Sequence, residues 1–357
     1  MTDKFRRALV GAALIFALAV PPAHAAGVTL NESGSTLLFP VFQTWIAGYK
    51  SVAPDVEITA AGTGSGAGTK AAIAGEVRIG TSDAYLSDRD AAQNPQILDI
   101  PLAISAQTIN YNLPGLNNAN LKIDGPTLAA IYAGKVMQWD DPAITAMNPG
   151  AQLPHQPIVP VRRADGSGDT FIFTQFLDFS AESWEDNPGY GIEISWPKVD
   201  GEKAATGNEG VVQTLATTPY SIGYIGISYG DQIAKAALGT AQVKNQAGKF
   251  LLPTPQTIAD GAAELDPRTP PYERITLVFA PGDNSYPLVN YEYAVVSKAQ
   301  PNAATADALR HFLLWAVSET GGNSPSYLQA VGFIALPDFI RALSEKQIAQ
   351  IQTAVGQ

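Results

Sequence analysis

The chain contains no cysteine among its 357 residues. A protein without cysteine forms no disulfide, no thiolate metal site and no lipid anchor on an N-terminal cysteine. Histidine is also scarce, since only His155 and His311 follow the first 25 residues. Two histidines are too few for a histidine-rich zinc centre, and neither adjoins a candidate nucleophile in sequence.

Long apolar runs are missing beyond the N-terminus, and no later stretch approaches the roughly 20 apolar residues of a membrane span. The N-terminus itself has basic residues at positions 4–7, an uncharged run at Leu9–Val20 and small residues at Ala23–Ala25. This order is typical of a secretory signal peptide. We therefore expect residues 1–25 to be removed on export, leaving a soluble periplasmic protein without a lipid anchor or membrane insertion.

Basic residues are outnumbered by acidic ones, which gives a net charge of −11. Loss of residues 1–25, which hold three basic residues and one acidic residue, would leave −13. Such a charge argues against nucleic acid or an anionic membrane surface as a partner. It would also repel an anionic ligand at long range, so an anion site must act through local donors and helix dipoles.

Short strands, polar turns and helices alternate along the chain, which predicts an α/β fold with a mainly parallel sheet. The main predicted strands are 28–31, 56–60, 77–80, 158–162 and 222–229, and the main predicted helices are 38–49, 69–74, 170–177 and 303–318. The polar, glycine-rich stretch 199–210 is predicted to be a surface loop.

Two long β segments, 104–112 and 288–297, flank the middle of the chain. If both cross between lobes, they form a hinge, and a ligand binds in the cleft between the lobes. The predicted division is as follows: residues 26–103 and 293–357 form lobe one, residues 109–287 form lobe two, and residues 104–108 and 288–292 are the crossovers.

Three turns rich in glycine and hydroxyl groups precede predicted helices: Ser33–Thr36, Gly64–Gly66 and Asp165–Asp169. The first turn of a helix presents free N–H groups and a partial positive charge, and glycine lets the backbone approach a ligand. Each turn alone is also compatible with an ordinary N-cap. Together with Arg163, whose planar fork suits two oxygens of a tetrahedral anion, they favour an anion site. The alternative for Arg163 is a salt bridge to Asp165.

Asp83 and Asp169 are carboxylates among these candidate anion-binding groups. An ionised aspartate only accepts hydrogen bonds, so it can accept the O–H of phosphate but faces a bare lone pair on sulfate. An unmatched buried polar group rejects the wrong ligand strongly. The alternative for both residues is a helix N-cap.

Two other motifs point elsewhere. Gly62–Ala67 satisfies the dinucleotide-binding pattern G-x-G-x-x-G/A, with Asp83 roughly 20 residues further on. Secretion and its position after the second strand argue against that interpretation. A secreted phosphate-ester hydrolase is the other alternative, although the serine-elbow motif is absent around Ser35, Ser65 and Ser167, and no compact acidic cluster has metal-ligand spacing.

The sequence resembles the periplasmic phosphate-binding proteins of Pst-type ABC transporters (the PstS family) over nearly the whole mature chain. The matching segments are Glu32–Pro40, Gly62–Gly68, Gly80–Ser87, Ile131–Lys135 with Trp139–Pro142, and Arg162–Thr170. The resemblance implies a type II-like periplasmic solute-binding fold with two lobes, each a mixed sheet flanked by helices and joined by two crossover strands. It also implies a monomer without enzymatic activity, cofactor or metal.

Carried onto this sequence, the resemblance implies that inorganic phosphate is bound and delivered to the permease subunits of an ABC importer. Its implied phosphate-binding residues are Ser35, Thr36, Leu37, Ser65, Asp83, Arg163, Ser167, Gly168 and Asp169, with Asp165 bracing Arg163. Position 169 is often threonine in this family, although mycobacterial-like members carry aspartate there. Asp169 would then either act as a second acceptor for phosphate or turn away to cap its helix. The same fold binding another oxyanion, such as sulfate, molybdate or phosphonate, remains an alternative.

Overall fold

The computed structural model describes residues 27–185 and 187–354, so the predicted signal peptide lies outside the described residues. The strands are β1 Val28–Gly34, β2 Val56–Thr59, β3 Ile79–Ser82, β4 Ile97–Asn112, β5 Lys122–Ile123, β6 Val159–Arg163, β7 Lys203–Ala205, β8 Ser221–Gly226, β9 Gly239–Thr240, β10 Gln242–Lys244, β11 Phe250–Leu251, β12 Val289–Ser297, β13 Ala299–Gln300 and β14 Gln352–Thr353. The helices are α1 Phe39–Tyr49, α2 Ser65–Ala74, α3 Asp88–Gln93, α4 Gly125–Tyr132, α5 Pro142–Thr145, α6 Gly168–Ser180, α7 Gly207–Thr217, α8 Gly230–Lys235, α9 Pro255–Ala263, α10 Ala303–Val317, α11 Pro325–Leu328 and α12 Asp338–Ile348.

One mixed sheet organises the molecule, in the strand order β2-β1-β3-β12-β4-β8-β6-β7, with β9 also paired to β4. Strand β1 is parallel to β2 and β3, and β6 is parallel to β7 and β8. The two central long strands, β4 and β12, are antiparallel to each other. Helices follow the parallel strands, as the alternation in the sequence predicts.

Strand β4 joins the two parallel parts of the sheet. Residues from Ile97 to Ala106 pair with β12, and residues from Gln107 to Asn112 pair with β8. The strand therefore changes partner near residue 106, inside the crossover predicted from the sequence. It begins seven residues before the predicted start at 104, because its buried residues Ile97 to Ala103 continue the sheet.

Helix α1 shows how apolar spacing builds the core beside the turns. Val41, Phe42, Trp45 and Tyr49 recur at helical spacing, and all four are buried. The Phe42 ring lies 5.9 Å from Phe312 of α10, centroid to centroid. This packing holds the N-terminus of α1 next to the carboxyl end of β1.

Four predicted elements differ clearly from the structure. The predicted strand 222–229 ends at Gly226, because Ile227–Tyr229 forms a 3-10 helix. Helix α2 starts at Ser65 rather than at residue 69, so the glycine-rich turn is itself the first helical turn. Strand β3 spans Ile79–Ser82 rather than 77–80. The stretch predicted as a surface loop, 199–210, contains β7 and the start of α7, and Asn208 is fully buried there. Local composition suggested a loop, but pairing with β6 and packing against distant residues decide the structure.

Within the described ranges, no helix combines the length and the apolar character needed to cross a bilayer.

Candidate functional site

The predicted site residues come together where β1, β3 and β6 end and α2 and α6 begin. Strands β1 and β3 are parallel to each other, whereas the successive pairings of β3 with β12, β12 with β4, β4 with β8 and β8 with β6 make β6 run in the opposite direction. The turns that follow these strands therefore meet from opposite sides, near the point where β4 changes partner. All nine predicted ligand-binding positions are buried, and they are Ser35, Thr36, Leu37, Ser65, Asp83, Arg163, Ser167, Gly168 and Asp169. The structure therefore gathers residues that are far apart in sequence into one cluster.

Asp83, directly after β3, lies at the centre of the cluster and is 1% exposed. Its Oδ1 accepts a hydrogen bond from Ser35 Oγ, and its Oδ2 accepts one of 3.3 Å from Ser65 Oγ. No helix begins at Asp83, since α3 begins five residues later and is capped by Ser87. The N-cap alternative for Asp83 is therefore wrong.

The electrostatics of Asp83 follow from its position. Burial raises its pKa to about 6, and the nearby Asp169 acts in the same direction. Hydrogen bonds to Glu292 and Ser35 and the charge of Arg163 oppose that increase. Burial and Asp169 thus favour the protonated form of Asp83, whereas its hydrogen-bond partners and Arg163 favour the ionised form.

Arg163, the last residue of β6, is the cation of the cluster and is 3% exposed. Its Nε lies 2.8 Å from Asp165 Oδ1, and its second terminal nitrogen also bonds to that carboxylate. Its remaining terminal nitrogen, Nη1, donates to Asp169 Oδ2 at 2.6 Å. Burial would lower the pKa of Arg163, but the two acids outweigh it and raise that pKa, so the guanidinium stays charged. The ion pair expected between Arg163 and Asp165 is present.

Asp169 points into the cluster and does not cap its own helix. Its carboxylate accepts from Arg163 Nη1, from Asn208 Nδ2 at 2.7 Å and from Gln107 Nε2 at 3.1 Å. The N-cap of α6 is Ser167, whose Oγ accepts from Thr170 N at 3.4 Å. Burial raises the pKa of Asp169, whereas Arg163 lowers it. The N-cap alternative for Asp169 is thus wrong, and its side chain lies in the cluster.

Gly168 brings the N-terminus of α6 against Asp83. A Cβ added to Gly168 would lie 2.5 Å from both Cβ and Oδ2 of Asp83, closer than real side chains approach. Glycine is therefore required here by the close contact between the helix end and the carboxylate. The amides of the first turn of α6 are therefore held beside the carboxylate of Asp83.

Thr36 and Leu37 connect this cluster to the other part of the sheet. Thr36 Oγ1 accepts from Asn208 Nδ2 at 2.9 Å and from Asn208 N at 3.3 Å. The carbonyl oxygen of Leu37 accepts from Ser228 Oγ at 2.7 Å. A further contact joins Gly66 N to the carbonyl oxygen of Gly166 at 3.0 Å. The turn after β1 and the start of α2 thus touch the segments around α6, α7 and β8.

Sequence reasoning missed three buried polar residues of the site: Gln107, Asn208 and Glu292. Gln107 and Asn208 both donate hydrogen bonds to Asp169, and the register of β12 with β3 places Glu292 opposite Asp83. Glu292 could have been identified from the sequence, since it is the one acid in the apolar strand β12. Asn208 could not, because the polar residues around it in the sequence indicate a surface loop.

The cluster can bind an oxyanion through hydroxyl groups, helix N-terminal amides and one guanidinium. Within residues 27–185 and 187–354, no group of three or more histidine, aspartate or glutamate side chains is arranged to hold a metal ion.

Residues 20–320 match the family model described as a PBP superfamily domain. The phosphate-binding protein PstS of Methanocaldococcus jannaschii is 32% identical over 90% of this chain and 88% of its own length. The phosphate-binding protein PstS of Pasteurella multocida is 31% identical over 82% of each chain. In structure, the chain resembles a high-affinity periplasmic phosphate-binding protein, PfluDING, solved with bound phosphate. The TM-score is 0.70 with 21% identity, covering 88% of this chain and 92% of that one. The likeness confirms the predicted α/β, two-lobed solute-binding fold.

Proposed function

The chain belongs to the PBP superfamily and to the PstS phosphate-binding proteins, and on that premise we propose that it binds inorganic phosphate for an ABC importer. The observation that carries the proposal is the buried carboxylate of Asp83, surrounded by hydroxyl groups and by the N-terminus of α6. A carboxylate among anion-binding donors suits a ligand that is an anion and still carries a proton. Phosphate meets both conditions at neutral pH, and sulfate meets only the first.

Each predicted ligand residue has a chemical role in this proposal. Thr36, Ser65 and Ser167 supply hydroxyl groups, Thr36 and Gly168 supply backbone amides, and Arg163 is the cationic contact. Ser35, whose hydroxyl donates to Asp83, and Leu37 shape the turn after β1. Asp83 accepts the phosphate O–H, and Asp169 is a second acceptor beside Arg163. Asp165 holds the guanidinium so that the nitrogen Nη1 faces the cluster.

Closure of the two lobes around the ion would let the permease distinguish the phosphate-bound protein from the empty protein. We take residues 26–103 with 293–357 and residues 109–287 as the lobes, with 104–108 and 288–292 as crossovers. The change of partner along β4 near residue 106 supports this division. Bound phosphate would favour the closed form, which the permease subunits recognise. The protein acts as a monomer in the periplasm, without a lipid anchor or membrane insertion.

Two alternatives use the same cluster differently. Sulfate or molybdate, which carry no hydrogen at neutral pH, would require Asp83 to face a bare oxygen, and this is unfavourable for a buried acceptor. A phosphate-ester hydrolase would require a nucleophile or metal centre, and the relatives are named as binding proteins rather than enzymes. The cluster of Asp83 and Arg163 favours binding of free phosphate.

Titration calorimetry of the protein, freed of bound phosphate, with phosphate and with sulfate tests the proposal. We expect stoichiometric phosphate binding and sulfate binding weaker by on the order of 10⁴. Equal affinity for both anions would contradict the role of Asp83. Turnover of a chromogenic phosphate ester that depends on added metal would instead support the hydrolase.

A further inference from the structure

Glu292 of β12 is a fully buried acid behind the ligand cluster, and no motif in the sequence analysis includes it. Its Oε1 accepts a hydrogen bond from Ser105 Oγ. Its Oε2 is buried, and no hydrogen-bond donor among the described residues reaches it. A buried carboxylate oxygen without a donor is costly, so this oxygen is better suited to carry a hydrogen than to carry charge.

The backbone directs Glu292 towards Asp83. Tyr293, the next residue, pairs with Ser82, and Asn290 donates to the carbonyl oxygen of Asp83 at 2.8 Å. The pairing of β12 with β4 shifts register between Glu292 and Tyr293. Bulges of this kind redirect a side chain, and they occur near functional sites.

Because Tyr293 pairs with Ser82 in antiparallel register, Glu292 and Asp83 lie opposite each other, and each carboxyl group acts on the charge of the other. Two ionised carboxylates have only acceptors and repel each other, so this arrangement favours a proton on one of them. The charged groups that face the pair are Asp169 on α6 and Arg163 on β6. Arg163 is already bonded to Asp165 and Asp169, so it does not neutralise Glu292 as well.

We propose that Glu292 is a positioning residue that keeps its proton and donates it to Asp83, which stays anionic and directed at the phosphate hydroxyl. This inference rests on the proposed function, because it explains how Asp83 can act as an acceptor in a site with a surplus of acids. The two oxygens of Glu292 differ in their surroundings. Oε1 accepts from Ser105, and Oε2, which no donor among the described residues reaches, is the oxygen that would carry the hydrogen.

The electrostatics agree with this assignment. Burial raises the pKa of Glu292 well above its usual range, and the charge of Asp83 raises it further. The same contact with Glu292 lowers the pKa of Asp83. A proton shared between the two acids is therefore held on the glutamate side.

The test compares Glu292→Gln, which keeps a donor but does not titrate, with Glu292→Leu, which has a similar size and no donor. Phosphate and sulfate affinities are measured by calorimetry from pH 6 to pH 9. Because every variant meets the same phosphate species at each pH, the ratio of variant to wild-type affinity cancels the ionisation of phosphate itself. Glu273→Gln is the matched control, since Glu273 is an equally buried acid outside the cluster.

We expect Glu292→Gln to keep phosphate affinity within about tenfold of wild type at pH 7, and Glu292→Leu to lose more, on the order of a further tenfold or more. As the pH rises and Glu292 of the wild type loses its proton, the phosphate affinity of the glutamine variant should increase relative to that of the wild type. The inference is overturned if glutamine strengthens phosphate binding at every pH, which indicates an ionised Glu292. It is also overturned if the glutamine and leucine variants bind phosphate equally well.

Infrared difference spectra give a readout that does not depend on phosphate binding or on the leucine variant folding. The carbonyl band of a protonated carboxylic acid should disappear in Glu292→Gln relative to wild type. An unchanged band would sink the inference. If the wild-type protein shows this band but binds no phosphate, the proposed function is refuted. The inference that Glu292 is protonated would still hold in that case.

Discussion

The carboxylate of Asp169 lies 2.6 Å from the guanidinium of Arg163, and Asp165 occupies the other two nitrogens of the same group. The cation of the cluster is thus balanced by two acids before any ligand is considered. Attraction between opposite net charges therefore contributes little, and hydrogen bonds from hydroxyl groups and amides must supply most of the affinity.

Replacing Asp169 with asparagine should change which form of phosphate is preferred. The carboxylate repels the dianion and accepts a second phosphate O–H, so wild type should favour the monoanion. We expect Asp169→Asn to improve phosphate affinity at pH 8 relative to pH 6 by on the order of tenfold compared with wild type. Calorimetry at both pH values checks this, with Asp266→Asn, at a buried acid elsewhere, as the control. The same pH profile in wild type and variant would argue against a ligand role for Asp169.

Asp83→Asn should damage selectivity more than general anion affinity. The amide can donate to a bare oxygen, so sulfate no longer meets an unmatched acceptor. We expect the ratio of phosphate to sulfate affinity to fall by about a hundredfold or more. Asp99→Asn, at another buried aspartate, should leave that ratio unchanged. Undiminished discrimination against sulfate in Asp83→Asn would refute the proposed recognition of hydrogen.

Arg163→Ala should abolish most phosphate binding. The substitution removes the cationic donor and leaves the buried carboxylates of Asp165 and Asp169 without their partner, at a cost of about 2–5 kcal/mol in binding. The neighbouring Arg162→Ala is a matched control, because Arg162 pairs at the surface with Glu202. Circular dichroism must show that the Arg163 variant is folded. A folded variant with wild-type affinity would exclude Arg163 from the site.

Asn208→Ala should weaken binding mainly by faster release of phosphate. Asn208 bonds both Thr36 and Asp169, so it joins the turn after β1 to α6. Losing these hydrogen bonds should cost about 1–3 kcal/mol of binding free energy. Stopped-flow tryptophan fluorescence measures the release rate. Asn94→Ala, which removes only a hydrogen bond to Asp90 at an exposed position, should release phosphate at the wild-type rate. Equal rates in both variants would show that Asn208 does not hold the closed form.

Stability should fall as the pH rises through the range in which buried acids lose protons. Burial raises the pKa of Glu273 to about 8 from an ordinary 4.5, so the folded state holds this proton where the unfolded state does not. The free energy of unfolding should therefore decrease between these two pH values, by up to about 1.4 kcal/mol per pH unit for this group. Urea denaturation at pH 5.5 and pH 8 should show that the free energy of unfolding decreases less in Glu273→Gln than in the wild type. Exposed Glu345→Gln is the control, and a Glu273→Gln slope equal to wild type would contradict the expectation.

The sequence alone determined the α/β class, the export signal as an expectation, and the turns that carry Ser35, Ser65 and Ser167. These features are local, because a stretch of about ten residues is enough to determine strand periodicity, a glycine-rich turn or the start of a helix. It also identified Arg163 and Asp83 as candidates from their position next to such turns. Their chemistry, a planar cationic donor and a pure acceptor, does not depend on distant parts of the chain.

Only the tertiary structure decided which distant groups complete the site. Gln107, Asn208 and Glu292 reach the cluster from β4, α7 and β12, and no local pattern relates those segments to the three turns. Sheet order and the register of β12 bring Glu292 to Asp83, and long-range packing turns a stretch with the composition of a loop into the start of α7. The charge state of a buried acid depends on all its neighbours at once, and only the folded chain brings those neighbours together.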